Sequence, residues 1–404
     1  MTPATNPSPD SGEVTLTLNE VASQSLARGA VGIALLHVER AWTGSGSWDT
    51  AQAHIRRVVA GQVDAADHAG LYYGAPAVAF LLHAAADRHP RYRAAGQTLD
   101  EHVLRLARRR LASAAARTDR GEFATFAEYD LFYGLSGIGA LLLRLHPDSD
   151  ELAGILRYVV TLAIRPRHED GVELPGWWVA HDPDEILLTS GGHANFGMAH
   201  GAAGLLSLIA LAKLRGCVVE DQHEAIAVLT GWFDRWRQDG PDGPWWPQWI
   251  TREELREGRP AHAHPGRASW CYGTVGIARA QQLAALAAED PRRQLAAEHA
   301  LAASLTGTQL DRITEPGLCH GIAGVYQTAY RASRDARGPA LAHRLPALAD
   351  RLALHARSFG DDKDGDEADA AGLLTGRAGV GLALETARHS TPTHTGWDAC
   401  LLIT

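Results

Sequence analysis

The sequence predicts an all-α fold arranged as a double ring of helices, on three observations. A Gly-x-x-Gly motif that opens an apolar run returns along the chain. Amphipathic, charge-bearing stretches separate its copies. The chain has 404 residues, 46% of them apolar, and its abundant Ala, Leu and Arg favour helix.

The copies, in order, are 26-LARGAVGIALLHVE-39, 71-LYYGAPAVAFLLHAA-85, 131-LFYGLSGIGALLLRL-145, 198-MAHGAAGLLSLIAL-211, 271-CYGTVGIARAQQLA-284, 318-LCHGIAGVYQTAYRA-332 and 373-LLTGRAGVGLALETA-387, seven in all. Six keep both glycines: Gly29/Gly32, Gly134/Gly137, Gly201/Gly204, Gly273/Gly276, Gly321/Gly324 and Gly376/Gly379. The second keeps Gly74 and has Ala77 in the other place. Intervals between first glycines are 45, 60, 67, 72, 48 and 55 residues. Each holds two helices of about 11–12 residues and their loops. Each copy therefore begins an apolar inner helix. Stretches such as 101-EHVLRLARRRLASAAA-116 and 293-RQLAAEHALAASL-305 supply amphipathic outer ones. Closing the ring buries every inner helix and leaves no end repeat to cap. The glycines gather helix N-termini, with their free N–H groups and partial positive charge, at one end of the ring. A site drawn from several repeats belongs there.

Residues flanking the chemistry are read next. The first 19 residues are polar and rich in Pro, Ser and Thr. They are expected to be a disordered tail, followed by a single domain over 20–404. No signal-peptide pattern and no run of about 18 apolar residues occurs, so no membrane segment is expected. A formal charge of −9 argues against nucleic-acid binding. Four scattered cysteines fit a reducing cytoplasm better than a disulfide framework. The acidic run 361-DDKDGDEAD-369 misses the calcium-loop spacing and is expected to be a solvated loop.

The residue just before the first glycine varies through Arg28, Tyr73, Tyr133, His200, Tyr272, His320 and Thr375. One position earlier stand Cys271 and Cys319. Two neighbouring repeats thus place a cysteine at one local position, and one adds His320. Two thiolates and an imidazole make a good zinc set, and three protein ligands leave a coordination position open, as catalysis requires. The bland reading is two small core cysteines. Cys217 and Cys400 fall outside the register and are expected to be structural.

The motifs 270-WCYGTVG-276, 318-LCHGIAG-324, 198-MAHGAAG-204 and 129-YDLFYGLSGIG-139 together resemble the lanthionine synthetase C-like (LanC) family, over roughly residues 20 to 390. The resemblance implies an α/α toroid of seven inner and seven outer helices with a catalytic zinc. It implies Cys271, Cys319 and His320 as zinc ligands, and His200, Asp130 and Arg267 as active-site residues. At this length it implies a stand-alone lanthipeptide cyclase. Its reaction would be the Michael-type addition of peptide cysteines to dehydroalanine or dehydrobutyrine. The partners implied are a dehydrated precursor peptide and a separate dehydratase, in a complex that meets the membrane without a spanning segment of this chain. His200 is the expected general acid, Asp130 its orienting group, and Arg267 the enolate stabiliser; a helix cap for Asp130 and a surface ion pair for Arg267 are the plain alternatives. The tryptophans of 175-PGWWVAHDPDE-185 and 244-PWWPQWITREEL-255 either grip a peptide or pack loops. Competing functions are addition of a small thiol such as glutathione, a non-catalytic peptide scaffold, and another toroid enzyme such as a glycosidase or a prenyltransferase subunit.

Overall fold

The computed structural model describes residues 23–183, 188–189, 191–358 and 371–404. The expected tail over 1–19 and the acidic run 361–369 lie outside them. In chain order the longer helices are α1 (Ala30–Thr43), α2 (Trp48–Val58), α3 (Ala75–Ala86), α4 (Arg93–Asp119), α5 (Leu135–Leu145), α6 (Asp150–Ile164), α7 (Ala202–Leu214), α8 (Gln222–Trp236), α9 (Thr274–Ala287), α10 (Pro291–Ser304), α11 (Ile322–Asp335), α12 (Leu345–Ser358) and α13 (Arg377–His389).

Every odd-numbered helix starts on the first glycine of a repeat, which is its N-cap. These helices pack in sequence, each on the next, and α13 packs back on α1. The inner ring is therefore closed. Each even-numbered helix packs against the odd one before it. Burial separates the layers: α3 hides eleven of its twelve residues, whereas α2 hides only Ala51, Ile55 and Val58. The fold is a predominantly helical toroid. Seven inner and six outer helices occur among the described residues, so the expected seven-plus-seven count is not established.

Backbone hydrogen bonds stitch the motif end of the ring. Leu131 N donates to Ala199 O, Ala199 N to Cys271 O, Cys271 N to Cys319 O, Cys319 N to Leu374 O, and Leu374 N to Ala27 O, all at 2.9–3.2 Å. Leu26 N continues to Tyr72 O at 2.9 Å. The second glycine of each motif sits where a Cβ would collide with the carbonyl oxygen of the residue six positions earlier: Leu26, Leu131, Met198, Trp270, Leu318 and Leu373 in turn. The second repeat escapes this rule through its backbone. Gly74 has φ +71°, unlike the extended first glycines of the other copies, and Ala77 is accommodated.

An all-α expectation needs one correction. Three short antiparallel pairs occupy the longer inter-repeat segments: Arg167–Glu169 with Val172–Leu174, His193–Asn195 with Trp249–Thr251, and Gln238–Gly240 with Gly243–Trp245. The first turns through Asp170 and Gly171, both at positive φ (52° and 72°), the geometry that an Asp-Gly dipeptide favours in a two-residue hairpin.

The middle of the ring is filled by residues 394–403. Thr395, Trp397, Asp398, Cys400, Leu401 and Ile403 have no exposed surface. Inner helices hold this segment from several sides. Glu39 of α1 accepts from His394 N and Thr395 N. Arg144 of α5 donates to Thr395 O and Gly396 O. Arg331 and Gln327 of α11 donate to Asp398, and Arg279 of α9 donates to Ile403 O. Near the motif end, Tyr72 Oη donates to Cys400 O and Trp270 Nε1 to Leu401 O.

Candidate metal centre and active site

Cys271 and Cys319 precede the first glycines of α9 and α11, which are adjacent in the ring. The backbone bond between Cys271 N and Cys319 O brings their side chains together. The two Sγ atoms and a ring nitrogen of His320 all lie within 4.8 Å of one another. Among the described residues this is the one group of His, Cys, Asp and Glu placed to hold a metal ion. Cys271 is buried, while Cys319 and His320 are partly accessible. Burial pushes the Cys271 thiol up, but hydrogen bonds with Cys319, His320 and Ser269 outweigh it and hold the group down at about 5. Cys319 is driven well above the thiol range by its hydrogen bond to Cys271 and then by burial. His320 is raised by its bond to Cys271, against burial. This donor set fits a soft or borderline metal ion: one thiolate is already favoured, and the cluster reaches the surface through His320.

His200 and Asp130 come together from two other repeats. His200 Nδ1 lies 2.5 Å from Asp130 Oδ2, with the Asp130 side chain fully buried and that of His200 15% exposed. Asp130 Oδ1 accepts from Tyr133 N at 2.6 Å and Gly134 N at 2.9 Å. Capping the turn before α5 and holding His200 are thus both true of Asp130, one oxygen for each. Phe126 stacks on the imidazole with centroids 4.9 Å apart, Phe132 meets it edge-on at 4.9 Å, and Tyr272 lies 5.8 Å away. Tyr272 follows Cys271 directly, and Ala199, just before His200, is hydrogen-bonded to Cys271 O. The His–Asp pair and the Cys/Cys/His cluster therefore share one end of the ring.

Arg267 is half exposed and donates Nη1 to Glu315 Oε1 at 2.8 Å. The ion-pair reading of Arg267 holds, but its partner is no ordinary surface acid. Glu315 Oε2 contacts His320 Nε2, so a continuous path runs from Arg267 through Glu315 to the cluster. Reading the sequence missed Glu315. The signal lay in the register: Arg267 and Glu315 each stand six residues before the first glycine of their repeats.

Of the two readings for the tryptophans, packing holds for four. Trp177, Trp178, Trp245 and Trp246 are buried, and Trp246 Nε1 donates to Phe233 O. Trp249 is partly accessible beside His193. Four histidines outside the register have structural partners: His37 stacks on His54, His83 contacts Asp100, and His193 Nδ1 lies 3.1 Å from His181 O. Cys217 and Cys400 are free thiols away from the cluster. No helix among the described residues is long and apolar enough to cross a membrane.

Comparison with known proteins gives three findings. The profile of the family described as lanthionine synthetase C-like protein matches residues 20–402. The nisin biosynthesis protein NisC of Lactococcus lactis subsp. lactis is 24% identical over 211 residues, 51% of this chain and 49% of that protein. The match thus spans about half the length of that relative. The solved structure of a nisin cyclase superposes with a TM-score of 0.78 at 21% identity, covering 95% of this chain and 93% of the other. At that identity, the superposition speaks for the fold.

Proposed function

This chain belongs to the lanthionine synthetase C-like family, and on that premise we propose that it is a zinc-dependent lanthipeptide cyclase. It adds peptide cysteine thiols to dehydroalanine or dehydrobutyrine and forms (methyl)lanthionine thioether rings. The observation that carries this reading is the joint placement of the Cys271/Cys319/His320 cluster and the His200–Asp130 pair on one ring end. A thiol-addition enzyme needs both a means of ionising a thiol and a proton donor beside it. Residues 20–404 act as one catalytic domain in this reading. Its substrate is a dehydrated precursor peptide delivered by a separate dehydratase.

Cys271, Cys319 and His320 hold the zinc. Bound there, zinc supplies Lewis acidity that favours the thiolate form of a thiol. The new S–C bond forms at the alkene Cβ, the π electrons move to an enolate, and the Cα must then gain a proton. His200 delivers it. Its Nδ1 is held by Asp130, and an imidazole fixed in this way is the side chain most often used for general acid–base transfer. Asp130 fixes the ring and stabilises the imidazolium, as buried carboxylates do in catalytic triads. Arg267 spends one edge of its guanidinium on Glu315 and offers its remaining donors to the enolate oxygen. Phe126, Phe132 and Tyr272 shield the imidazole from bulk water.

The test pairs elemental analysis with a cyclisation assay. Purified protein should hold about one zinc per chain, and Cys319→Ala should lose it. A dehydrated Cys-containing peptide should lose its alkylatable thiols with wild type but not with the variant. Metal-free wild type that takes up no added zinc would sink the proposal.

A further inference from the structure

We propose that Glu315 is a positioning residue of the metal centre, fixing His320 for coordination and tying it to Arg267. The inference rests on the zinc reading above. An imidazole ligand has two nitrogens, and a metal takes one of them as a lone-pair donor. The other must then carry the proton, and a carboxylate that accepts it fixes both tautomer and ring orientation. Glu315 Oε2 occupies that place at His320 Nε2, which assigns Nδ1 to the metal.

Three further observations indicate a built contact rather than a chance surface pair. Glu315 is anchored by its own backbone, since its carbonyl accepts from Ile322 N at 3.0 Å in the first turn of α11. That bond ties the backbone of Glu315 to the same helix start that carries Cys319 and His320. The second carboxylate oxygen is held by Arg267 Nη1 at 2.8 Å, from the repeat that carries Cys271. Finally, Arg267 and Glu315 occupy equivalent positions in neighbouring repeats. The ring places them side by side as it places Cys271 beside Cys319. One carboxylate thus links the two repeats that supply the ligands, outside the cluster itself.

The experiment compares wild type, Glu315→Ala and Glu315→Gln by zinc competition against a chromophoric chelator. Cobalt(II) absorption spectra and thermal melts accompany it. Glu315→Ala should bind zinc about 10–100-fold more weakly, the range that loss of an outer-shell partner brings. Its cobalt visible bands should shift, while its melting temperature without metal stays at the wild-type value. Glu315→Gln keeps an oxygen that accepts from Nε2–H, so it should recover most of the affinity. Wild-type affinity and cobalt spectrum in Glu315→Ala would overturn the proposal and leave the cyclase reading intact. Wild type that binds neither metal would overturn both.

Discussion

The motif end of the ring and the filled middle are built from the same residue types, used in opposite ways. In the middle, Asp398 has no exposed surface and its two oxygens are taken by Arg331, Gln327 and Thr393. Arg279 is 1% exposed and divides its donors among Ile403 O, Gln282 and Asp335. At the motif end, the Asp130 side chain is just as deeply buried, and one of its oxygens holds His200, whose side chain is 15% exposed. Arg267 is half exposed with donors to spare. A charge whose partners saturate it holds the fold; a half-exposed charge with a single ion-pair partner, as at Arg267, is available for chemistry. Residue type alone does not separate the two, and the partners do.

This contrast is best broken by variants that should act on one region and spare the other. His200→Ala should lower the cyclisation rate by roughly 100- to 10,000-fold, the usual share of a general acid. Its melting temperature and zinc content should stay close to wild type. A large loss of stability in that variant would place His200 with the structural charges. Asp398→Ala should do the reverse. Removing the fully buried Asp398 leaves Arg331, Gln327 and Thr393 without their shared partner and should cost about 3–5 kcal/mol in denaturant unfolding, while the folded fraction keeps its zinc and its turnover per molecule.

A smaller, pH-dependent effect sharpens the comparison at its boundary. His193 is fully buried against Phe126, the ring that stacks on His200, and burial holds its pKa down to about 4. The unfolded chain takes up this proton near 6.5 and the folded one does not until about 4. The stability from His193 is therefore complete above pH 6.5. It falls by about 1.4 kcal/mol per pH unit on acidification through that window. Melting temperature against pH should show this acid limb, and His193→Gln should flatten it. An unchanged slope would mean that another group controls it.

Much of the ring was legible because the constraint behind it is local. The second glycine of a motif faces the carbonyl six residues back, so Gly32, Gly137, Gly204, Gly276, Gly324 and Gly379 repeat wherever the turn repeats. The Cys271, Cys319 and His320 grouping was legible for the same reason, since equal register means neighbouring places on a ring. What escaped depended on contacts between distant segments. Glu315 gains meaning only once Arg267 and His320 stand on either side of it. The filling of the ring by residues 394–403 carries no periodic signal, and its anchors Glu39, Arg144, Arg279 and Arg331 look like ordinary helix charges. The Asp170-Gly171 turn did offer a signal, which the strength of the helical pattern masked.

The hydrogen bond from Leu374 N to Ala27 O also sets an order of events. It joins the first motif to the last, across almost the whole chain. During synthesis, α1 must wait with one flank uncovered until α13 leaves the ribosome. Contacts between such distant residues slow folding, and apolar surface exposed in the meantime invites association with other chains. The segment that fills the lumen emerges later still, so the floor beneath Trp270 and the neighbouring Cys271 is among the last parts to settle. Assembly of the Cys271, Cys319 and His320 cluster, on this timetable, is a late event in the life of the nascent protein.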